Sequence, residues 1–175
     1  MCKEQKVLNY YVLCNKLKNV IRTGWKVWNV KRERLESVAE HIFGVQMLAI
    51  AMRSEYQYDI DIQKVSLMLA IHELGETVIG DLTQFQISRE EKERIEHEAV
   101  HKILSGLIDG EQIERIFLEF DAHKTAEAKF AKIPMCSVSA GVLAGSIGIC
   151  QYSGDPKPPV HVWLNSISPI RVRKK

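Results

Sequence analysis

Ile71-His72-Glu73-Leu74-Gly75-Glu76-Thr77-Val78-Ile79-Gly80-Asp81 sets one imidazole and three carboxylates within residues 72–81, at the end of an apolar run. The approach is Val65, Leu67, Met68, Leu69 and Ile71. The spacing predicts a helix from about Ile62 to Leu74 that ends near Gly75, with His72 on the stripe of Val65, Met68 and Leu69. Glu76 follows His72 at i+4, so on a continuing helix the two would share a face. Gly80-Asp81 adds another acid just past the helix end. Charge this dense beside apolar residues must be paired or must hold a metal. The plainer alternative is a solvated helix end with incidental acids, and the apolar approach weighs against it.

Working toward the N-terminus, Ser37-Val38-Ala39-Glu40 is a capping-box pattern that predicts a second helix start. Val38, His41, Val45, Leu48 and Met52 then recur on one stripe, which turns His41 inward. A single histidine there reads as a core residue. A second inward imidazole, His72, makes a shared site the better reading. Ahead of this, Val7, Tyr11, Cys14, Leu17 and Ile21 predict a first helix over about Glu4 to Ile21. Arg22-Thr23-Gly24-Trp25-Lys26-Val27-Trp28 follows, with Gly24 as a C-cap signal. It reads either as a loop packed down by its aromatics or as a phosphate- and base-contacting loop, since Arg offers forked donors and Trp a stacking face.

Toward the C-terminus, Ser88-x-x-Glu91 is another capping signature, predicting a helix to about Leu107 with Ile95, Ala99, Ile103 and Leu107 buried. A further helix follows Asp109-Gly110 with Ile113, Ile116, Phe117 and Phe120 inward, and a short one spans about Thr125 to Lys132, ending before Pro134. The expectation is an all-α helical bundle over residues 1–132. After Lys132 the composition changes: Asp155 is the only acid there of the chain's 22, and Asp155-Pro156-Lys157-Pro158-Pro159 cannot be helical. Residues 133–175 read as an atypical Gly/Ser/Pro-rich tail, with Val160–Leu164 as a short strand candidate.

A length of 175 residues points to one domain, and 46% hydrophobic content suffices for a core. Net charge of +2 gives no global case for nucleic acid or a membrane surface. Cys2, Cys14, Cys136 and Cys150 lie far apart, which suits reduced thiols in a cytoplasmic protein rather than a disulfide framework. The N-terminus reads as an amphipathic helix, not a signal peptide. The uncharged stretch from Pro134 to Cys150 falls short of the about 20 apolar residues that a bilayer span needs.

Arg34-Leu35-Glu36-Ser37-Val38-Ala39-Glu40-His41, followed by His72-Glu73-Leu74-Gly75-Glu76 and Gly80-Asp81-Leu82-Thr83, resembles the HD-domain metal-dependent phosphohydrolases. The branch it looks most like is that of bacterial 5′-deoxynucleotidases and oxetanocin-like proteins, and the resemblance covers about Leu8 to Lys132. It implies His41, His72 and Glu73 as metal ligands, with Glu73 where the family name expects Asp. It implies Glu76 and Asp81 as the general acid/base and water-positioning residues, and Arg22 and Trp25 as the pair that holds the substrate phosphate and sugar. The implied cofactor is a divalent metal ion (Mn, Co, Fe, Ni, Zn or Mg). The implied reaction is hydrolysis of deoxynucleoside 5′-monophosphates, and a homodimer enters by analogy. Gln84 departs from the Pro that often follows Gly-Asp-x-Thr. The family's final Asp also has no counterpart. Met135 stands about where it is expected, and a thioether is a poor ligand for hard cations. The expectation is metal binding of reduced affinity, with two rival readings: a catalytically impaired relic that binds a nucleotide or partner, and a zinc peptidase built on His97-Glu98-Ala99-Val100-His101. The peptidase would need a third ligand such as Glu119 or Asp121. The face of its two histidines also carries Glu93, Arg94 and Ser105 and looks solvated.

Overall fold

A computed structural model describes residues 2–27, 33–82 and 86–143, with the backbone alone at 27 and 136–143. In chain order the helices are α1 (Lys3–Asn15), a 3₁₀ turn (Lys16–Lys18), α2 (Thr23–Val27), α3 (Val38–Tyr56), α4 (Ile62–Ile71), α5 (Glu76–Ile79), α6 (Arg89–Leu104), α7 (Gly110–Ala122) and α8 (Ala126–Leu143). Among the described residues the only β pairing is an isolated bridge between Ile21 and Ser37. The all-α expectation holds. Trp28, Thr83, Gln84, Asp155, the strand candidate Val160–Leu164 and most of the tail lie outside the described residues.

The long helices start where side-chain chemistry satisfies their free N–H groups. Ser37 accepts from the Glu40 N–H while the Glu40 carboxylate accepts from the Ser37 N–H, a complete capping box at α3. Asp61 accepts from the Gln63 and Lys64 N–H groups at α4, and Ser88 from the Glu91 N–H at α6. Such caps contribute about 1 kcal/mol each.

α3 and α4 pack on each other and on α8, while α7 lies against α4, α6 and α8. One core joins Val45 and Ala49 of α3, Val65, Met68 and Leu69 of α4, Phe120 of α7, and Ala128, Phe130 and Ala131 of α8. A second joins Ile71, Leu74, Val100, Leu104 and Phe117. Full burial of each large side chain contributes roughly 1.5–3 kcal/mol. The end of α4 borders both cores, which is what places His72 in the interior.

Several expected boundaries move. The first helix stops at Asn15 rather than Ile21. Its expected stripe is only partly used: Leu17 is buried, while Val7 and Tyr11 stay exposed. Gly24 lies inside α2 rather than capping a helix. α4 ends at Ile71, and residues 72–75 form a turn before α5 begins at Glu76. His72 and Glu76 therefore do not share one helical face; a turn between two helices joins them. On α6 the buried centre is Ala99, Val100 and Leu104, with Ile95 and Ile103 only half-buried.

The largest departure is α8. The sequence predicts a helix that stops before Pro134, yet it continues to Leu143 with the proline inside. Proline forfeits one helical hydrogen bond at a cost of about 3 kcal/mol. Here Pro134 is itself buried, and its neighbours Ile133 and Met135 pack against the first core. Apolar burial on both sides offsets the lost bond. The boundary after Lys132 drawn from composition thus falls within a continuous helix.

Candidate metal centre

His41 enters from the second turn of α3 and is 1% exposed, as the Val38–Val45 stripe predicts. His72 caps the C-terminus of α4 and is also buried, its ring centroid 5.5 Å from that of His41 and 5.4 Å from that of Phe120. Glu73 is the next residue in the turn. One ligand atom from each of His41, His72 and Glu73 lies within 4.8 Å of the others, and among the described residues this is the one such His/Cys/Asp/Glu group.

The donor chemistry fits a cation. His72 Nδ1 donates to the Leu69 carbonyl at 2.7 Å, an assignment that leaves a lone pair on Nε2. Among the described residues Nε2 has no hydrogen-bond partner, and neither ring nitrogen of His41 has one. Leaving such groups buried and unsatisfied costs about 1–3 kcal/mol each. Burial first, then the charge of Arg22, pushes His41 down to about 3, so the ring is neutral and able to ligate. His72 Nε2 also stands 3.4 Å from Glu73 Oε1. With His72 neutral, this sets two acceptors side by side, an arrangement that a cation bound between them relieves. Two imidazoles and a carboxylate suit Mn²⁺, Co²⁺, Fe²⁺, Ni²⁺ or Zn²⁺.

Around this trio the chain sets acids and cations alternately. Arg22 Nη1 donates to Glu73 Oε1 at 3.0 Å, which favours the ionised carboxylate. Glu76 is 2% exposed; burial first, then the charges of Glu73 and Asp81, push its carboxyl well above the usual range. Its Oε1 is 3.6 Å from Lys92 Nζ, and its Oε2 is buried without a partner among the described residues. Asp81 Oδ2 accepts from the Thr23 N–H at 2.5 Å, and Thr23 Oγ1 donates to the Asp81 carbonyl at 2.6 Å. Asp81 thereby ties the start of α2 to the end of the 71–81 stretch. Gly80 precedes it at φ 74°, a backbone region that suits glycine.

Trp25 lies 7% exposed with its Nε1 donating to Glu36 Oε2 at 3.1 Å. Arg22 is brought to the trio, whereas the Trp25 indole is turned into the protein. Met135 packs against the first core. Asp121 is engaged elsewhere, its Oδ2 2.7 Å from His97 Nε2. His101 pairs with Glu114 at 3.0 Å. The two histidines of His97-Glu98-Ala99-Val100-His101 are thus each held by a separate carboxylate of α7, and Glu119 is taken by Lys64 and Thr125. The zinc-peptidase reading falls on this geometry.

The sequence predicts α6 but not its contribution to the site. Lys92 and Glu96, one turn apart, face the centre: Lys92 reaches Glu76, and Glu96 feels the charge of Glu73. Burial, then Glu73, pushes Glu96 up to about 7. The available signal was an i,i+4 Lys/Glu pair ahead of Ala99 and Val100 on a helix otherwise rich in surface charge.

The family pattern described as HD domain matches residues 14–136. The chain belongs to the HD domain family. Among relatives of this HD domain, the 5′-deoxynucleotidase hdd1 of Schizosaccharomyces pombe is 30% identical over 74% of this chain and 67% of its own length. The 5′-deoxynucleotidase HDDC2 of Dictyostelium discoideum is 34% identical over 71% of this chain and 69% of its own. Among solved structures, a predicted metal-dependent phosphohydrolase from Magnetospirillum magnetotacticum superposes with TM-score 0.63 at 26% identity, covering 75% of this chain and 67% of its own. A conserved hypothetical protein from Pyrococcus furiosus superposes with TM-score 0.62 at 24% identity over 92% of this chain and 96% of its own, and shares the fold.

Proposed function

We propose that this HD domain is a metal-dependent phosphohydrolase that cleaves deoxynucleoside 5′-monophosphates to nucleoside and phosphate, with His41, His72 and Glu73 holding the metal. The observation that carries the reading is the buried trio, whose three unpartnered ring nitrogens face inward on a fold whose curated relatives are 5′-deoxynucleotidases. A divalent ion held there supplies Lewis acidity toward a phosphoryl oxygen and a lowered pKa for bound water. Arg22 binds the substrate phosphate from the side of Glu73 while keeping that carboxylate ionised. Glu76 exchanges a proton at Oε2, its unpartnered oxygen, with the attacking water or the leaving sugar oxygen. Asp81 orients water through Oδ1, since Oδ2 is taken by Thr23. Trp25 anchors α2, and with it the adjoining Arg22, by its bond to Glu36.

A nucleotide is the small-molecule partner. No helix of the described residues is long and apolar enough to cross a membrane. The finer expectations belong to the same proposal: no nucleic-acid ligand, a cytoplasmic setting, residues 133–175 as a divergent C-terminal part, and a homodimer. The dimer is supported by Phe43, Met47 and Ile50, an exposed apolar stripe along α3.

The test is phosphate release from a panel of deoxynucleoside 5′-monophosphates, in EDTA and with added Mn²⁺ or Co²⁺. Release is expected only with metal, and His72→Ala should lower it by at least about 100-fold. A folded, helical protein with no release under any metal supports the rival reading, a scaffold that binds without turnover.

A further inference from the structure

Lys92 lies outside the His41–His72–Glu73 trio and outside the 71–81 stretch, yet its side chain is only 27% exposed and reaches a carboxylate that is 1% exposed. Among the described residues it is the cation within ion-pair distance of Glu76. It meets Oε1, while Oε2 is buried and has no partner among the described residues. A carboxylate with both oxygens free can turn about its last bond between broad, nearly equivalent orientations. A charge at one oxygen removes that freedom and leaves a defined second oxygen. Glu96, one helical turn on, holds Lys92 electrostatically from the same face of α6. The approach of α6 is close: a Cβ at Gly75 would stand 2.5 Å from Glu96 Cγ. The turn at 72–75 and the Lys92–Glu96 face therefore form one packed unit.

We propose that Lys92 is a positioning residue for the hydrolytic step, which fixes Glu76 through Oε1 so that Oε2 is presented to the reacting oxygen. The proposal rests on the phosphohydrolase reading above. Arg22 and Lys92 then divide the work: Arg22 meets Glu73 and the substrate phosphate, and Lys92 orders the proton-transferring carboxylate from α6.

The experiment compares wild type, Lys92→Met and Lys92→Arg with Mn²⁺ and a deoxynucleoside 5′-monophosphate. For Lys92→Met, kcat should fall roughly 10–100-fold, as for other residues that orient a site from outside it. KM should stay within about threefold, because the interaction acts in the transition state. Lys92→Arg, which keeps the charge, should recover most of the lost kcat. A second readout needs no activity: in metal-free protein, the shifts in urea midpoint for Lys92→Met and Glu76→Gln should be non-additive in the double variant. Lys92→Gln stands in, with the same expectations, where Lys92→Met does not fold. A Lys92→Met kcat within about twofold of wild type, or additive midpoints, overturns the proposal. So does a raised KM at unchanged kcat, which would make Lys92 a substrate ligand. Wild-type protein inert toward every nucleotide overturns the hydrolase reading and this proposal together, whereas active wild type with an unaffected Lys92→Met overturns this proposal alone.

Discussion

The His72 Nδ1–H bond to the Leu69 carbonyl, 2.7 Å long, comes from the last turn of α4 and leaves Nε2 for the centre. Its tautomer is thus set by the backbone of its own helix. At Met135 the environment works the other way, since the side chain is held by apolar neighbours rather than by the centre. Met135→Asp returns a carboxylate where the resembled family carries one. It should tighten Mn²⁺ binding about 10-fold or more, measured by calorimetry, while lowering the thermal midpoint of the metal-free protein. Unchanged affinity would show that α8 does not bring position 135 to the metal. Glu96 makes a pH prediction. Its folded pKa of about 7 lies above the 4.5 of a free side chain, so the folded state binds more protons between those values. Stability from this group is present below about pH 4.5 and is lost as pH rises through 7. Glu96→Gln should therefore stabilise metal-free protein at pH 8 relative to wild type, on the order of 1 kcal/mol or more, and much less at pH 4.5. Urea unfolding at the two pH values checks it, and an equal effect at both would refute the assignment.

At the scale of elements, the turn between α4 and α5 does what a continuous helix could not. On one helix His72 and Glu76 would have projected side by side. The turn instead lets Glu73 join His72 while Glu76 opens a new helical turn beneath α6. Gly75 permits this, since a Cβ there would meet Glu96 Cγ at 2.5 Å and the Glu96 carbonyl at 3.3 Å. Gly75→Ala should cost about 1–3 kcal/mol, the usual range for overpacking, and should lower activity by displacing α6 and its Lys92. Chemical denaturation and turnover measured on the same samples check both halves. The starts of α3 and α6 were legible from Ser37 and Ser88, because a cap is a local contact written within four residues. The ends were less so. α8 runs past Pro134 because Ile133 and Met135 find the first core, and no local rule carries that information.

For the molecule as a whole, two cores meet at the end of α4, and the His41–His72–Glu73 trio sits where they meet. A cation bound only by the folded state stabilises it by mass action, about 2.7 kcal/mol at 100 times Kd. Saturating Mn²⁺ should thus raise the thermal midpoint by about 5–10 °C over EDTA for a domain of this size, and His41→Ala should abolish the rise. Identical melting in both conditions would remove the case for the centre. The sequence by itself determined the all-α class, the inward faces of His41 and His72 and the acids that follow, because helical period and capping are short-range. Only the tertiary structure decided that His97 and His101 are tied up by α7, that Trp25 turns inward to Glu36, and that Lys92 and Glu96 of α6 attend the site. Each of those outcomes depends on which helix packs against which, and long-range apolar burial, not local pattern, makes that choice.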